Sequence, residues 1–569
     1  MYCTTSRLTY YEVRTISQLA ALLVTILVFV FVVDTRYRLL PHSIHTANFL
    51  HHPGLVITDV TLTTCSTANP FSSCDLDPEV WYRIEKDLYL GERWLSSAYL
   101  HVRRKKEEEL STTDKIVMDI RVGRLDPSTS EKSQGKQNDR WESRPGGIWL
   151  LRTSKRSESD SGGAITAVDV LFGADAVEPR PGWSITQTPL LLQTASDLHV
   201  ARLTLRHGQP RTEKKYSPPR VRKDGTFKIL QASDLHLSTG VGACRDALDE
   251  HGEIHGKCEA DPRTLDFLER ILDDEKPDLV VLGGDQVNGD TAPDVQSAIF
   301  KFTQLFIERN IPYAAIFGNH DDEGKRHTHL SRQEQMSLMS TLPHSLSQAG
   351  PPEVDGVGNY VVEILAPAPS QHSAITLYLL DSHSYSPDEA KFRGYDWIRP
   401  NQIQWFRDTA RALKANNDKY SHIHIDMAFI HIPLPEYTTE GNVVAGGEWR
   451  EPSTAPGFNS GFYEALKEQG VVSVGCGHDH VNDFCALRPL STTSESDRLG
   501  PWMCYAGGSG FGGYAGYGGF HRRLRVWEVD TNAGRVYTWT RVQCCGDDIN
   551  KRFNELMIVD GGRVVAAEH

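Results

Sequence analysis

The sequence predicts an α/β domain of layered sheets covered by helices, and three observations predict it. Short runs rich in Val, Ile, Leu and Phe recur from Phe227 onward, as buried strands do. Amphipathic helical stripes separate them, and alternating strands and helices call for layered sheets. Five of the runs stop at a short motif of Asp, Asn or His, and in such sheets functional groups gather beyond the carboxyl ends of strands.

Taken in order, the chain of 569 residues is long enough for more than one domain. Leu19 to Val33 is apolar almost without interruption, and with Ile16 it approaches the roughly 17–25 residues that span a bilayer. Asp34-Thr35-Arg36-Tyr37-Arg38 follows in place of a small-residue cleavage site, so 16–33 reads as a transmembrane signal anchor behind a short tail, 1–15. Arg7 and Arg14 precede the span and Arg36 and Arg38 follow it. A short tail is most easily left in the cytosol. The expectation is a single-pass membrane protein whose catalytic part is lumenal or extracellular. No Asn-x-Ser or Asn-x-Thr acceptor occurs.

Residues 50–210 read as a β-rich lobe. Val56-Ile57-Thr58-Asp59-Val60 resembles Ala164-Ile165-Thr166-Ala167-Val168, and Trp81-Tyr82-Arg83-Ile84 resembles Trp183-Ser184-Ile185. Alternating runs follow each Trp stretch, at 98–102 and 198–203, which suggests a pseudo-symmetric internal repeat. The polar stretch 125–145 lacks apolar periodicity and reads as a mobile loop. The charge run Arg103 to Glu109 reads as a solvated face. Lys214 to Lys223, with Pro218-Pro219, reads as a linker.

The main domain is expected over 221–545. Leu265, Phe267, Leu268, Ile271 and Leu272 form one helical stripe, and Ile299, Phe302, Leu305 and Phe306 a second. Ile403, Trp405, Phe406 and Leu413 form a third, after the strand Thr376 to Leu380. A strand pair, Leu524 to Val529 and Val536 to Thr540, closes the domain, and 546–569 reads as a C-terminal tail. A net charge of −14 argues against a nucleic-acid partner. The ten cysteines lack zinc-module spacing. Cys244 and Cys258 bracket a polar insertion, and Cys485 and Cys504 a hairpin. Both pairs suit disulfides in an oxidising compartment.

The five motifs are Asp234-Leu235-His236, Gly284-Asp285, Gly318-Asn319-His320-Asp321, His431 and Gly477-His478-Asp479-His480. Asp, Asn and His are ligands for hard and borderline metals such as Fe, Mn or Zn. Asp234 and His236, two apart at a strand end, can turn to one metal. The two oxygens of Asp285 can bridge two metals, Asn319 offers a neutral oxygen, and His478 and His480 can divide between the metals. His431 completes the set, because His422 and His424 lie at the start of its strand, on the opposite rim. His327, His329 and His383 read as surface or rim residues. Two metals roughly 3.5–4 Å apart can clamp an in-line phosphoryl displacement, with a bridging hydroxide as nucleophile. His320 is then placed to protonate the leaving oxygen, Asp321 to hold its imidazole, and Glu323 to add an outer contact. The Gly-rich run from Gly507 to Gly519 lacks the Lys of a phosphate loop and reads as a flexible wall beside the site.

These motifs resemble the calcineurin-like metallophosphoesterase family, whose pattern is D-x-H, G-D, G-N-H-D/E, H and G-H-x-H. Gly394-Tyr395-Asp396-Trp397-Ile398, His431-Ile432-Pro433-Leu434-Pro435-Glu436, Asn459-Ser460-Gly461-Phe462 and the run from His478 to Phe484 resemble a narrower branch. That branch holds fungal dosage-dependent cell-cycle regulator phosphatases and plant purple-acid-phosphatase-like proteins. The resemblance implies a four-layer α-β-β-α sandwich that hydrolyses phosphate esters with two metal ions. It implies Asp234, His236, Asp285 and His480 at one metal, and Asp285, Asn319, His431 and His478 at the other. Purple acid phosphatases carry Tyr three residues after the bridging Asp; Asn288 stands there, so no purple chromophore is expected. The expected activity is a phosphomonoesterase, acting on phosphoproteins or small phosphorylated molecules. A phosphodiesterase acting on nucleotides or lipid head groups, and a scaffold acting through the N-terminal lobe, are the alternatives.

Overall fold

The computed structural model describes residues 54–566 apart from 67–68, 70–72, 94, 130–140, 155–161, 193–198, 210–216, 249–252, 254–257, 325–329, 420–422, 490–498, 518–519 and 544–550. Of residues 1–53 it describes Gln18 and Thr25. The chain divides after Leu55, and the architecture below is that of the unit from Val56 onward.

The membrane span expected at 16–33 is corrected. Among the described residues no helix is long and apolar enough to cross a membrane. The segment itself, save Gln18 and Thr25, lies outside them. The single-pass topology, the membrane partner and the lumenal or extracellular placement fall with it.

The N-terminal lobe is built from three copies of one unit. Its strands are β1 (Leu55–Ser66), β2 (Trp81–Arg83), β3 (Ser96–Lys106), β4 (Ile116–Val122), β5 (Trp141–Arg144), β6 (Ile148–Thr153), β7 (Ile165–Phe172), β8 (Trp183–Ile185) and β9 (Ala201–His207). They form three sheets of identical order, β1-β3-β2, β4-β6-β5 and β7-β9-β8. Each opens on a long strand, continues with a short strand that begins with Trp, and returns between the two. Ile57, Val60, Val117, Ile120, Ile165 and Val170 from the three opening strands share one core. The repeat is therefore threefold, where the sequence suggested two copies. The middle copy was hidden because its short strand, Trp-Glu-Ser-Arg, lies in the polar stretch read as a loop, of which 130–140 is outside the described residues. A cystine joins Cys65 to Cys74.

The main domain carries two seven-stranded sheets. The first contains β10 (Thr226–Ala232), β11 (Leu279–Gly283) and β12 (Tyr313–Ile316). The second contains β13 (Tyr360–Leu365), β14 (Ser373–Leu379), β15 (Ile425–Phe429), β16 (Val443–Ala445), β17 (Ser473–Cys476), β18 (Cys485–Leu487) and β19 (Trp502–Tyr505). The chain then returns to the first with β20 (Arg523–Asp530), β21 (Arg535–Val542), β22 (Phe553–Asp560) and β23 (Arg563–Val564). The orders are β12-β11-β10-β20-β21-β22-β23 and β13-β14-β15-β17-β19-β18-β16. Strands β10, β11 and β12 run parallel, as do β14, β15, β17 and β19.

The helices are α1 (Ala260–Glu275), α2 (Val295–Arg309), α3 (Arg332–Ser340), α4 (Pro400–Asn417) and α5 (Phe462–Gln469). Three hydrophobic clusters define the layers. Phe267, Leu268, Ile299 and Phe302 from α1 and α2 cover Leu230, Val280 and Leu282 on the outer face of the first sheet. Ile229 and Val281 meet Leu377, Met427 and Phe429 between the sheets. Ile403, Phe406, Phe462 and Leu466 from α4 and α5 cover Tyr378, Ala428 and Ile430 on the second. This is the α-β-β-α sandwich the motifs implied, and all three helical stripes lie on helices. The expected tail differs: Val559 and Met557 of β22 pair with Val536 and Tyr537 of β21, which extends the first sheet. The partner is the strand that directly precedes β22 in the chain, so the expected tail is a further antiparallel strand of the same sheet.

The lobe packs on α2. The Phe172 amide donates to Ser297 Oγ at 2.8 Å, and the Gln296 amide to Asp169 at 2.9 Å. Lys86 pairs with Asp294, the residue that caps α2, at 2.7 Å. Lys301 pairs with Asp175 and Asp261. The second half of the expected linker is docked, with the Val221 amide on the Leu365 carbonyl at 2.8 Å.

Candidate metal centre

Each motif leaves the carboxyl end of a parallel strand: Asp234 and His236 follow β10, Asp285 follows β11, Asn319 follows β12, His431 follows β15, and His478 and His480 follow β17. The strand is held by the ladder, and the chain must then turn at once. Asp234, His236, Asp285 and His478 accordingly adopt left-handed backbone, with φ of 56°, 46°, 54° and 77°. Such a backbone costs a non-glycine residue on the order of 1 kcal/mol and concentrates at functional sites. The first two turns brace each other: the Asp234 amide donates to the Gly284 carbonyl at 2.9 Å and the His236 amide to the Asp285 carbonyl at 3.0 Å. Gly284, at φ +94°, has no room for a Cβ, which would meet the His431 imidazole.

The turns bury all seven expected ligands and draw six of them, Asn319 apart, into two neighbouring groups. Asp234, His236 and His480 form one group and Asp285, His431 and His478 a second, with the ligand atoms of each within 4.8 Å of one another. His236 Nε2 lies 3.1 Å from His480 Nε2, which is 3.4 Å from Asp234 Oδ1. Asp285 Oδ2 stands between the groups, 3.2 Å from His431 Nε2 and 3.8 Å from His236 Nε2. Asn319 is fully buried.

The donor set fits cations. His431 Nε2, His478 Nε2 and Asn319 Oδ1 are buried without a hydrogen-bond partner among the described residues. Left so, each would cost about 1–3 kcal/mol. His431 Nδ1 is 2.8 Å from the Gly283 carbonyl and His480 Nδ1 2.8 Å from that of Tyr514. Each ring therefore donates from Nδ1 and turns the lone pair of Nε2 into the centre, as metal-ligating histidines do. Burial and the neighbouring imidazoles hold His236 and His478 well below the usual range, so both are neutral. Burial also opposes charge on His431, but the Asp285 carboxylate lifts it to about 9. A proton there occupies the place a cation would take.

A family model described as calcineurin-like phosphoesterase matches residues 227–482. Phosphatase DCR2 of Saccharomyces cerevisiae is 38% identical over 66% of this chain and 64% of its own length. The chain thus spans just under two thirds of that relative. The uncharacterized protein C1020.05 of Schizosaccharomyces pombe is 32% identical over 86% of this chain and 88% of its own length. Probable inactive purple acid phosphatase 29 of Arabidopsis thaliana is 37% identical over 56% and 81%.

The chain belongs to the calcineurin-like phosphoesterase family. This is a family of hydrolases that use two metal ions, and the buried centre offers two candidate ligand groups.

Within this calcineurin-like phosphoesterase, the assignment of His320's partner is corrected. Asp321 was expected to hold the His320 imidazole. Its carboxylate is fully buried and instead accepts three backbone N–H groups, from Asp285 at 2.8 Å, Val287 at 2.9 Å and Gly318 at 2.7 Å. It ties the β11 and β12 turns together. Glu323 takes the expected role, accepting from His320 Nδ1, and Tyr385 Oη donates to Glu323 at 2.7 Å. The reason is the turn itself, which points Asp321 inward and brings the residue three after His320 back over the ring. Burial disfavours charge on His320, but Asp285 and Glu323 outweigh it and raise the ring above its usual range.

The remaining candidate residues lie around this frame. His424 is at the start of β15, bonded to the Ser373 carbonyl, and His383 pairs with Gln402. His327, His329 and His422 lie outside the described residues. Cystines join Cys244 to Cys258 and Cys485 to Cys504. Gly507 to Gly513 does flank the site, yet it is buried and clamped: Arg522 donates to the Gly510 and Gly513 carbonyls at 2.6 and 3.0 Å. Tyr514, Glu451 and Arg332 were missed. Arg332 holds the Gly318 carbonyl at 2.6 Å and Asp381 at 2.6 Å. A lone Tyr between glycines was the one local sign of Tyr514.

Proposed function

We propose that the chain is a dinuclear-metal phosphatase that hydrolyses phosphomonoesters. Asp234, His236, Asp285 and His480 would hold one ion, and Asp285, Asn319, His431 and His478 the other. The observation that carries this reading is the convergence of unpartnered imidazole and carboxamide atoms on two buried carboxylates. When bound, such a pair supplies Lewis acidity toward phosphoryl oxygens and a nucleophile from water at neutral pH.

The chain's own residues do the rest. Glu323 fixes Nδ1 of His320 and leaves Nε2 free to pass a proton to the leaving oxygen, and Tyr385 steadies Glu323. His320 is only partly exposed, on the wall of a cavity shared with His236 and His480. Asp321 maintains the turn spacing between Asp285 and Asn319. The name of the yeast relative, a phosphatase, agrees with this reading. The plant relative is named as probably inactive, but here every ligand position of the motif is filled.

The test is turnover of a chromogenic phosphomonoester and a matching diester by the full chain, stripped and reloaded with Mn, Zn or Fe. Metal-dependent monoester turnover, abolished by Asp285→Asn in a folded protein, is the expected result. Preference for the diester would replace the reading with a phosphodiesterase. No turnover with any metal would favour a scaffold.

A further inference from the structure

A cavity of about 80 Å³ opens over the candidate centre, lined by His236, His320 and His480, and beyond them by Arg245, Asn288 and Tyr514. Arg245 is the one Arg or Lys on that wall among the described residues. It is exposed, and its guanidinium has no ion pair or hydrogen bond among the described residues. The other arginines around the site are committed. Arg332 is held by Asp381 and Arg523 by Asp483, while Arg522 is spent on backbone carbonyls. Asp290, the wall's other Asp, Glu, Lys or Arg, makes no ion pair with Arg245, and its charge opposes an anion unless a cation offsets it.

The backbone at Arg245 is held by a cystine and by hydrogen bonds on both of its peptide groups. The Cys244–Cys258 cystine precedes it, and the Cys244 amide donates to the Cys258 carbonyl at 3.0 Å. The Arg245 amide donates to the Phe511 carbonyl at 2.9 Å, and its carbonyl accepts from buried Arg522 at 2.6 Å. The following Asp246 carboxylate takes the Ala515 amide at 3.1 Å. A cation with a free head on an immobile base loses little freedom when it meets an anion. A guanidinium presents paired N–H groups that match phosphoryl oxygens.

We infer that Arg245 binds the phosphoryl oxygens of the substrate and selects terminal phosphate groups over diesters, with Arg522 and the Cys244–Cys258 cystine as the positioning elements beneath it. This rests on the phosphatase reading. A phosphomonoester offers three non-bridging oxygens and up to two charges; a diester offers two oxygens and one charge. A fixed guanidinium therefore gains more from the former.

The experiment uses the full metal-loaded chain and the variants Arg245→Gln and Arg245→Lys, with inorganic phosphate binding by calorimetry beside KM for a monoester and a matching diester. Arg245→Gln is expected to weaken phosphate binding and raise monoester KM by about 10- to 100-fold, with diester KM changed less than about threefold. Arg245→Lys should recover part of the loss, with metal content and melting temperature as in the wild type. Unchanged phosphate affinity in Arg245→Gln would overturn the inference, as would equal weakening of both esters. Failure of the phosphatase reading would show differently, as no turnover by the wild type. Calorimetry would still decide whether Arg245 holds phosphate.

Discussion

The ring of Tyr514 lies flat on the imidazole of His480, with centroids 4.0 Å apart and planes 11° from parallel, while the Tyr514 carbonyl takes the His480 Nδ1 proton. One residue therefore sets both the orientation and the tautomer of a candidate ligand. Its hydroxyl is anchored in turn on Glu451 at 3.0 Å. Tyr514→Ala should lower metal affinity about 10- to 100-fold, the usual effect of losing an outer support of a metal ligand. Tyr514→Phe, which keeps the stack, should lose far less. Metal titration of the two variants separates these outcomes.

Gly513 faces the same ring from another side. A Cβ there would lie 2.5 Å from His480 Cε1 and 2.7 Å from His236 Cδ2. Neither ring can retreat, since both are buried and held. Gly513→Ala should cost about 1–3 kcal/mol by overpacking and spoil metal binding more than it spoils folding. Denaturant unfolding with and without metal checks this: the stabilisation that metal confers on the wild type should be largely absent.

Asp321 and Glu323 are separable by variants. Asp321→Asn replaces an acceptor of three backbone N–H bonds, and should destabilise the protein by about 2–4 kcal/mol. Glu323→Gln leaves folding nearly unchanged and should lower kcat about 10- to 100-fold by weakening its hold on His320. Melting temperature and kcat measured on both variants should show the two effects on opposite residues. Loss of kcat without loss of stability in Asp321→Asn would restore the role first read for it.

The junction between lobe and main domain should be acid-sensitive. Burial would raise Asp169, yet Lys86, Arg180 and the Gln296 amide hold its carboxyl down at about 2. An unfolded Asp titrates near 3.9, so the folded state has the lower pKa. The resulting stability is fully present above about pH 4 and is lost as pH falls toward 2, with a size of about 2 kcal/mol. Asp169→Asn should be less stable than the wild type at neutral pH, and the gap should narrow below about pH 4. A gap constant with pH would rule out this linkage.

The candidate ligands were legible because their signals are local. A short β-branched run such as Asp278 to Leu282 reads as a buried strand, and Gly283-Gly284-Asp285 after it reads as a tight turn at its end. Six of the seven positions read this way gather in two groups, and the seventh, Asn319, is buried. The lobe's repeat was half legible. Two copies carry Trp in an apolar setting, while the third carries Trp141 among charged residues, where periodicity does not reveal a strand.

By itself the sequence determined the layered α/β class, the strand-end motifs and the three helical stripes, since each follows from residue types within a few positions of one another; it offered two cysteine pairs that suit a cystine, and the fold joined them. Folding in three dimensions decided which carboxylate serves His320, that Tyr514 supports His480, and that Arg245 stands over the centre. Those outcomes depend on turn direction and on contacts between residues far apart in the chain, such as Arg522 with Arg245, and no local pattern encodes which distant partner a side chain will meet.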